Sequence, residues 1–105
     1  MWLFLSNGFL SIVEHRHKPD FLLVRARNME HLKTIFPNAE CFSLKNSDYP
    51  HRAIIAKSEV SKVIADYISN LSYDNYKNSI SESKFSKTCN HIWHLMFDYG
   101  LKFRR

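Results

Sequence analysis

The residues best suited to chemistry in this chain are three arginines, one of which lies three positions after a tyrosine. Arg25 and Arg27 lie two positions apart in the segment LLVRAR, so in a strand both side chains project from the same face. Arg52 follows Tyr49 in the segment DYPHRA. A guanidinium binds phosphate or carboxylate through a planar pair of donors. The spacing therefore predicts a surface that binds anions.

A further segment, LSYDNYK, supplies candidates of the same kind. Tyr73, Tyr76, Lys77 and Ile80 recur at helical spacing, which predicts a short helix with one packed side. We expect Tyr73, Asn75 and Lys77 to extend the arginine surface. An antiparallel sheet that exposes aromatic rings and arginines together is one way in which proteins hold single-stranded RNA or DNA.

The same arginines have a structural alternative. They would then form ion pairs with nearby carboxylates and help to close the fold, as strand arginines often do. The carboxylates in question are those of Glu14, Asp48 and Asp74. The sequence leaves both interpretations open.

Other chemistries lack the residues they need. The six histidines and two cysteines form no HExxH or CxxC pattern, so no metal site is predicted. No GxSxG segment is present, and Cys41 and Cys89 fall at positions typical of a core. Glycines only at positions 8 and 100 cannot form a phosphate-binding loop. We therefore predict no catalytic, metal-binding or cofactor-binding residue. This favours a binding protein over an enzyme, although a metal-free nuclease using tyrosine, histidine and lysine stays open.

Composition and charge limit the kinds of partner and the cellular compartments that can be expected for this protein. A chain of 105 residues with 45% hydrophobic residues is expected to form a single domain over residues 1–105. The formal net charge of +5 favours nucleic acid or an acidic protein surface as the partner. Two isolated cysteines are typical of free thiols in a reducing compartment. The apolar start, MWLFLSNGFLSIV, is interrupted and too short to span a bilayer. We expect a cytoplasmic protein with no membrane association.

The predicted strands determine which face of the sheet carries the arginines. Asn7-Gly8 is typical of a tight turn with positive φ, which predicts a β-hairpin over residues 2–15. In FLLVRAR, three apolar residues alternate with the arginines and are expected to face the core. These are Leu22, Val24 and Ala26. Two more predicted strands are ECFSL and HRAIIAK, joined by the turn KNSDYP.

Three helices complete the prediction. Asn28 is expected to cap a first helix that ends before Pro37, and Ser58 to cap a second. The last helix is expected from about Glu82 to Tyr99, with Gly100 as its C-cap. The apolar stripes that should pack are Val60, Val63, Ile64, Tyr67, Ile68 and Leu71 in the second helix, and Phe85, Cys89, Ile92, Met96 and Tyr99 in the last.

This element order predicts the fold class. The order βββ-α-ββ-α-α favours an α+β fold in which an antiparallel sheet of about five short strands has helices packed on one face. The first strand, WLFL, would lie at an edge, where it could pair with a second copy and form a homodimer.

Four short segments also carry a resemblance. In this order, GFLSIV, LLVRAR, DYPHRA and YDNYK resemble the motifs GFxSIV, LLVRAR, DYPxRA and YDN(Y/F)K of a group of small, largely uncharacterised bacterial and phage-type proteins. The similarity would cover nearly the whole chain. It implies a bacterial or phage setting and no activity. The residues it assigns to one shared pattern are Gly8, Phe9, Arg25, Arg27, Asp48, Tyr49, Arg52, Tyr73, Asp74, Asn75 and Lys77.

Two functions are expected from these observations. The first is a small cytoplasmic protein that binds a polyanion, RNA or DNA, through its arginine, tyrosine and lysine surface. The second is a protein of phage or mobile-element origin that binds and inhibits a host protein complex, for example one involved in defence.

Overall fold

A computed structural model describes residues 1–104 of the chain and shows an α+β fold, as predicted. Its five strands form one antiparallel sheet, in which the first, second, third, fifth and fourth strands of the chain follow one another from edge to edge. In chain order the elements are β1 Trp2–Leu5, β2 Gly8–Glu14, β3 Phe21–Ala26, α1 Met29–Ile35, β4 Cys41–Ser43, β5 His51–Ala56, α2 Lys57–Ser69, a 3-10 turn Lys77–Ser79 and α3 Ser83–Leu101.

The chain divides into two compact units, of which the first is Met1–Ser72 and the second begins at Tyr73. The first unit holds the sheet with α1 and α2, and the second holds the 3-10 turn and α3. The single domain expected over residues 1–105 stays a prediction. None of the helices within residues 1–104 has the length and apolar composition needed to cross a membrane.

Strand alternation builds the core of the first unit. One face of the sheet carries Leu10 and Ile12 from β2, Val24 and Ala26 from β3, and Ala53 and Ile55 from β5, all buried. Buried residues of α1 and α2 belong to the same cluster: Leu32, Ile35 and Val60. Both helices therefore pack on one face of the sheet, as predicted, and the opposite face is left without a helix from this unit.

The first hairpin forms where predicted but for a different reason. Leu5 pairs with Gly8, so Ser6 and Asn7 make the loop. No glycine of the described chain has a positive φ, which makes the expected turn conformation wrong. Gly8 is needed instead for close approach to α1, because a Cβ built on it would lie 2.7 Å from the Cβ of His31. The neighbouring amide of Phe9 donates to His31 Nδ1 at 3.1 Å.

The two helices of the first unit begin differently. Asn28 caps α1 as predicted, since its side chain accepts from the Glu30 amide at 3.0 Å. The predicted cap at Ser58 is wrong, because β5 runs directly into α2 and the N-cap position is Ala56. The Lys57 amide donates instead to the carbonyl of Asp20, at 2.8 Å. A backbone carbonyl from the β2–β3 connection thus replaces the expected side-chain cap.

The expected stripe of α2 is only partly packed. Val63, Ile64 and Tyr67 pack against the core cluster. Ile68, in the last turn of α2, and Leu71, beyond the end of the helix, are exposed.

In the second unit, α3 starts where predicted and ends later. The Glu82 carboxylate accepts from the Phe85 amide at 2.8 Å and caps the helix. The helix then continues through Gly100 to Leu101, so the predicted glycine C-cap is wrong. Phe85 and Cys89 are buried as expected. Met96 and Tyr99, also expected to pack, are exposed.

Candidate anion-binding face of the sheet

The sheet face opposite α1 and α2 carries a row of polar and aromatic residues that crosses all five strands. Residues paired directly across neighbouring strands point to the same side of a sheet. From one edge to the other, the successive pairs join Trp2, Ser11, Arg25, Arg52 and Phe42. With strands about 4.8 Å apart, the row is about 19 Å long. Two predicted arginines are therefore side by side, with an aromatic residue at each end.

Arg25 lies in the middle strand of this row and is only partly exposed. Its Nη2 donates to Ser11 Oγ at 2.7 Å, and Ser11 itself is buried. Its Nε is buried and has no hydrogen-bond acceptor within residues 1–104. The guanidinium carbon lies 4.6 Å from the centre of the Tyr49 ring, an attractive arrangement of a cation over an aromatic face.

Tyr49 is the centre on which two arginines converge. Its side chain is only 5% exposed. The guanidinium carbon of Arg27 lies 4.5 Å from the ring centre, comparable to that of Arg25. The Phe9 ring lies 6.4 Å from Tyr49 and stacks at 4.5 Å on Phe4, so the aromatic cluster continues across β2 to β1. Arg25, Arg27 and Tyr49 are thus brought together, as predicted.

Arg52 holds the loop that carries Tyr49. Its Nε donates to the Tyr49 carbonyl at 3.0 Å, and its Nη2 donates to Ser47 Oγ at 2.6 Å. Ser47 Oγ also accepts from the Tyr49 amide at 3.2 Å. Arg27 Nε donates to the Asp48 carbonyl at 3.2 Å. These bonds position the loop over the sheet and fix the arginines that make them.

The hydrogen bonds of the three arginines go to neutral oxygens. Their acceptors are hydroxyls of Ser11 and Ser47 and backbone carbonyls of Asp48 and Tyr49. Among the hydrogen bonds described for these guanidiniums in the first unit, none goes to a carboxylate, which favours the binding interpretation over ion pairs with Glu14 and Asp48. The positive charge of the cluster is therefore not neutralised by any of these hydrogen bonds.

The chemistry this face can perform is binding. Trp2 is 70% exposed at one end of the row, and Phe42 is exposed at the other. Guanidiniums retain donors for a phosphate or carboxylate after making one or two bonds. No group of three or more histidine, cysteine, aspartate or glutamate side chains in residues 1–104 is placed to hold a metal ion.

The other predicted site residues, Tyr73, Asn75 and Lys77, belong to the second unit. The predicted short helix is limited to the 3-10 turn Lys77–Ser79. The ammonium of Lys77 lies 4.1 Å from the centre of the Trp93 ring, and Asn75 Oδ1 accepts from the Asn78 amide at 3.2 Å. Both side chains therefore have structural roles in their own unit. That they extend the arginine surface stays a prediction.

A partly buried tyrosine–cysteine pair in the second unit was not predicted from the sequence. The hydroxyl of Tyr76 lies 3.6 Å from Cys89 Sγ. Burial raises the pKa of the Tyr76 hydroxyl above its ordinary value, and the thiol beside it raises it further. Burial also raises the pKa of the Cys89 thiol. Both groups are therefore held in their neutral forms, and Cys89 lacks the activation that a nucleophilic cysteine needs.

Two serines of the site were also missed. Ser11 is the one polar residue in the buried part of β2, and that interruption of an apolar run could have marked it as a partner. Ser47 had no comparable signal because it lies in a polar turn.

The chain matches no protein-family model, no curated protein and no solved structure. The resemblance to small bacterial and phage-type proteins therefore stays a prediction.

Proposed function

We propose that this chain is a small binding protein that engages a polyanion, single-stranded RNA or DNA, on the open face of its sheet. The observation that carries the proposal is the cluster of Arg25, Arg27 and Arg52 around Tyr49, whose hydrogen bonds go to neutral oxygens. Exposed aromatic rings flank the cluster in the same cross-strand row. Cations that track phosphates and rings that stack on bases are the two parts of a single-strand binding surface.

The charge of the chain supports the same proposal. The formal net charge of +5 attracts a polyanion that comes within about one Debye length of the protein surface. We propose that Tyr73, Asn75 and Lys77 of the second unit also bind the polyanion and that the protein acts in the cytoplasm.

The test is binding of fluorescently labelled single-stranded RNA and DNA, measured by anisotropy over a range of salt concentrations. Arg27→Gln removes an exposed cation of the cluster and should weaken binding and reduce the salt slope by about 0.7 for each phosphate that the variant no longer neutralises. Trp2→Ala should weaken binding by about 1–3 kcal/mol with little change in slope, because stacking is not ionic. Lys62→Gln is the matched control, since it removes one exposed charge from α2, on the other side of the sheet.

Two results would overturn the proposal. One is that neither RNA nor DNA binds at low salt with tens of micromolar protein, where even non-specific association is measurable. The other is that Lys62→Gln weakens binding as much as Arg27→Gln, because the attraction would then come from net charge and not from this face.

A second candidate is binding to an acidic protein surface, in a protein of phage or mobile-element origin that inhibits a host complex. Tryptophan, tyrosine and arginine dominate the energetics of protein interfaces, and all three occur on this face. This candidate would be favoured if a protein from bacterial lysate forms a stoichiometric complex with the chain, if the complex survives nuclease treatment, and if Trp2→Ala does not form it.

A further inference from the structure

The open face of the sheet carries a second contact between a cation and an aromatic ring, at the start of β3. Phe21 lies four residues before Arg25, so both side chains project from the open face and their Cα atoms are about 13 Å apart. The Phe21 side chain is 38% exposed. The Lys18 ammonium lies 5.8 Å from the centre of its ring, within the range of a cation–π contact. The charged end of Lys18 is therefore held beside the open face.

The turn between β2 and β3 that carries Lys18 is held in shape by a histidine. His15 Nδ1 accepts from the amides of His17 and Lys18, both at 3.1 Å. The His15 amide donates to the Phe21 carbonyl at 3.1 Å, and the Phe21 amide donates to the Lys18 carbonyl at 3.2 Å. Lys18 is thus fixed to Phe21 through the backbone as well as through the ring. A ligand that binds here meets a contact that is already formed, which lowers the entropic cost of binding.

The charge of this turn favours an anion as the ligand. Arg16 and Lys18 are exposed cations, and Asp20 is the one carboxylate among residues 15–20. The carboxylate before the turn, Glu14, pairs with Leu22, which packs against the core cluster. Glu14 therefore projects from the side of the sheet that the helices cover, away from Lys18. A lysine ammonium has three donors and binds phosphate as a point charge.

An uncharged band separates Lys18 and Phe21 from the arginine cluster. Val13, Leu23 and Ile54 are paired directly across three neighbouring strands and point to the open face. Val13 is 36% exposed, and the other two are half-buried. The side chains of this band have no donor for a phosphate, so they can contact only bases and sugars. At the roughly 3.4 Å per nucleotide of a stacked strand, the separation of about 13 Å corresponds to about four nucleotides.

We propose that Lys18 and Phe21 form a second contact for single-stranded nucleic acid, so that the strand runs along β3 from the arginine cluster to the β2–β3 turn. A single strand can make both contacts, because every nucleotide repeats a phosphate that a cation binds and a base that an exposed ring stacks on. The proposal rests on the proposed function, since it extends the same ligand along the same face.

Anisotropy of labelled (dT)12 at about 50 mM salt tests the second contact, with circular dichroism to show that each variant is folded. Lys18→Gln should reduce the salt slope by about 0.7 and weaken binding about eightfold, because each neutralised phosphate contributes the molar salt concentration to the power of about −0.7. Phe21→Leu keeps apolar bulk and should weaken binding by about fivefold or more with little change in slope, because a base loses its stacking ring. Lys62→Gln, on the other side of the sheet, is the control and should leave binding unchanged.

The double variant Lys18→Gln/Arg27→Gln should show the product of the two single effects, because contacts more than about 10 Å apart act independently. If Phe21→Leu loses its fold, Lys18→Gln and the double variant decide the question. The second contact is absent if Arg27→Gln weakens binding while Lys18→Gln binds as tightly as Lys62→Gln, and the proposed function then stands. If the wild type binds no single strand, both proposals are wrong.

Discussion

Replacement of Gly8 by alanine should destabilise the first unit although the backbone there has no positive φ. The new Cβ would lie 2.7 Å from the Cβ and 3.1 Å from the Cα of His31. Neither atom can move by rotation of a side chain, so β2 and α1 must shift apart. Overpacking of this kind costs about 1–3 kcal/mol. Weakening of the Phe9 amide bond to His31 Nδ1 adds to this cost.

Loss of the Phe9 hydrogen bond, about 0.5–1.5 kcal/mol, offsets the ~0.4–1 kcal/mol that alanine recovers by restricting the unfolded chain. The expected net loss of unfolding free energy is therefore about 1–3 kcal/mol. Gly100→Ala is the matched control, because Gly100 is the other glycine of the chain and its added Cβ meets nothing within 4 Å. That variant should gain about 0.5–1 kcal/mol of stability in α3.

Amide hydrogen exchange measures both effects, because it reports opening free energies residue by residue. Gly8→Ala should lower protection across β2 and β3, and Gly100→Ala should raise protection in α3. If Gly8→Ala is as stable as the wild type, the approach of α1 to the hairpin is not rigid and the reason given for this glycine is wrong.

The remaining predictions concern three other contacts. Tyr49→Leu keeps apolar bulk but removes the ring between the two arginines, and should cost about 1–3 kcal/mol in urea unfolding; no loss of stability would mean that the arginines do not stabilise the loop through the ring. The pKa values of Tyr76 and Cys89 are higher in the folded chain than in the unfolded chain. The contribution of these two groups to the free energy of unfolding should therefore be fully present below about pH 9 and should be lost as the pH rises further. Tyr76→Phe should make unfolding free energy less dependent on pH above about 10, and an unchanged pH profile would contradict the buried pair. Lys77→Met should lower the free energy of unfolding by about 0.5–1 kcal/mol, because it removes the cation from the Trp93 ring. It should also change tryptophan fluorescence. Lys87→Met is the control, since Lys87 is an exposed lysine of the same unit, and it should leave both properties unchanged.

The sheet and its helix-covered face were predictable because the apolar alternation of each strand is unambiguous. Val24 and Ala26 alternate with Arg25 and Arg27, and only one register buries the apolar pair. The start of α2 was not predictable. Its cap is a carbonyl from Asp20, a contact that depends on tertiary structure and leaves no mark in the local sequence.

The end of α3 was mispredicted because local signals conflict there. Gly100 resembles a C-cap, but the apolar stripe continues past it and the helix follows the stripe to Leu101. The stripe likewise predicted burial of Met96 and Tyr99. Periodicity shows which side of a helix is apolar, and it does not show whether anything covers that side.

Part of the candidate site also followed from spacing. Arg25 and Arg27 had to share a face, and pairing of β3 with β5 then placed Arg52 directly opposite Arg25. The partners of these arginines could not be predicted, because hydroxyls and carbonyls compete with carboxylates and the choice depends on loop geometry. The burial of Tyr49 between two guanidiniums is a consequence of that loop.

Anisotropy titration of single-stranded RNA and DNA with the wild type, Arg27→Gln and Lys62→Gln shows whether the open face of the sheet binds a polyanion. We expect saturable binding at low salt, with weaker binding and a smaller salt slope for Arg27→Gln and no change for Lys62→Gln. Absence of binding to both nucleic acids, or an equal decrease in affinity in the two variants, would contradict it.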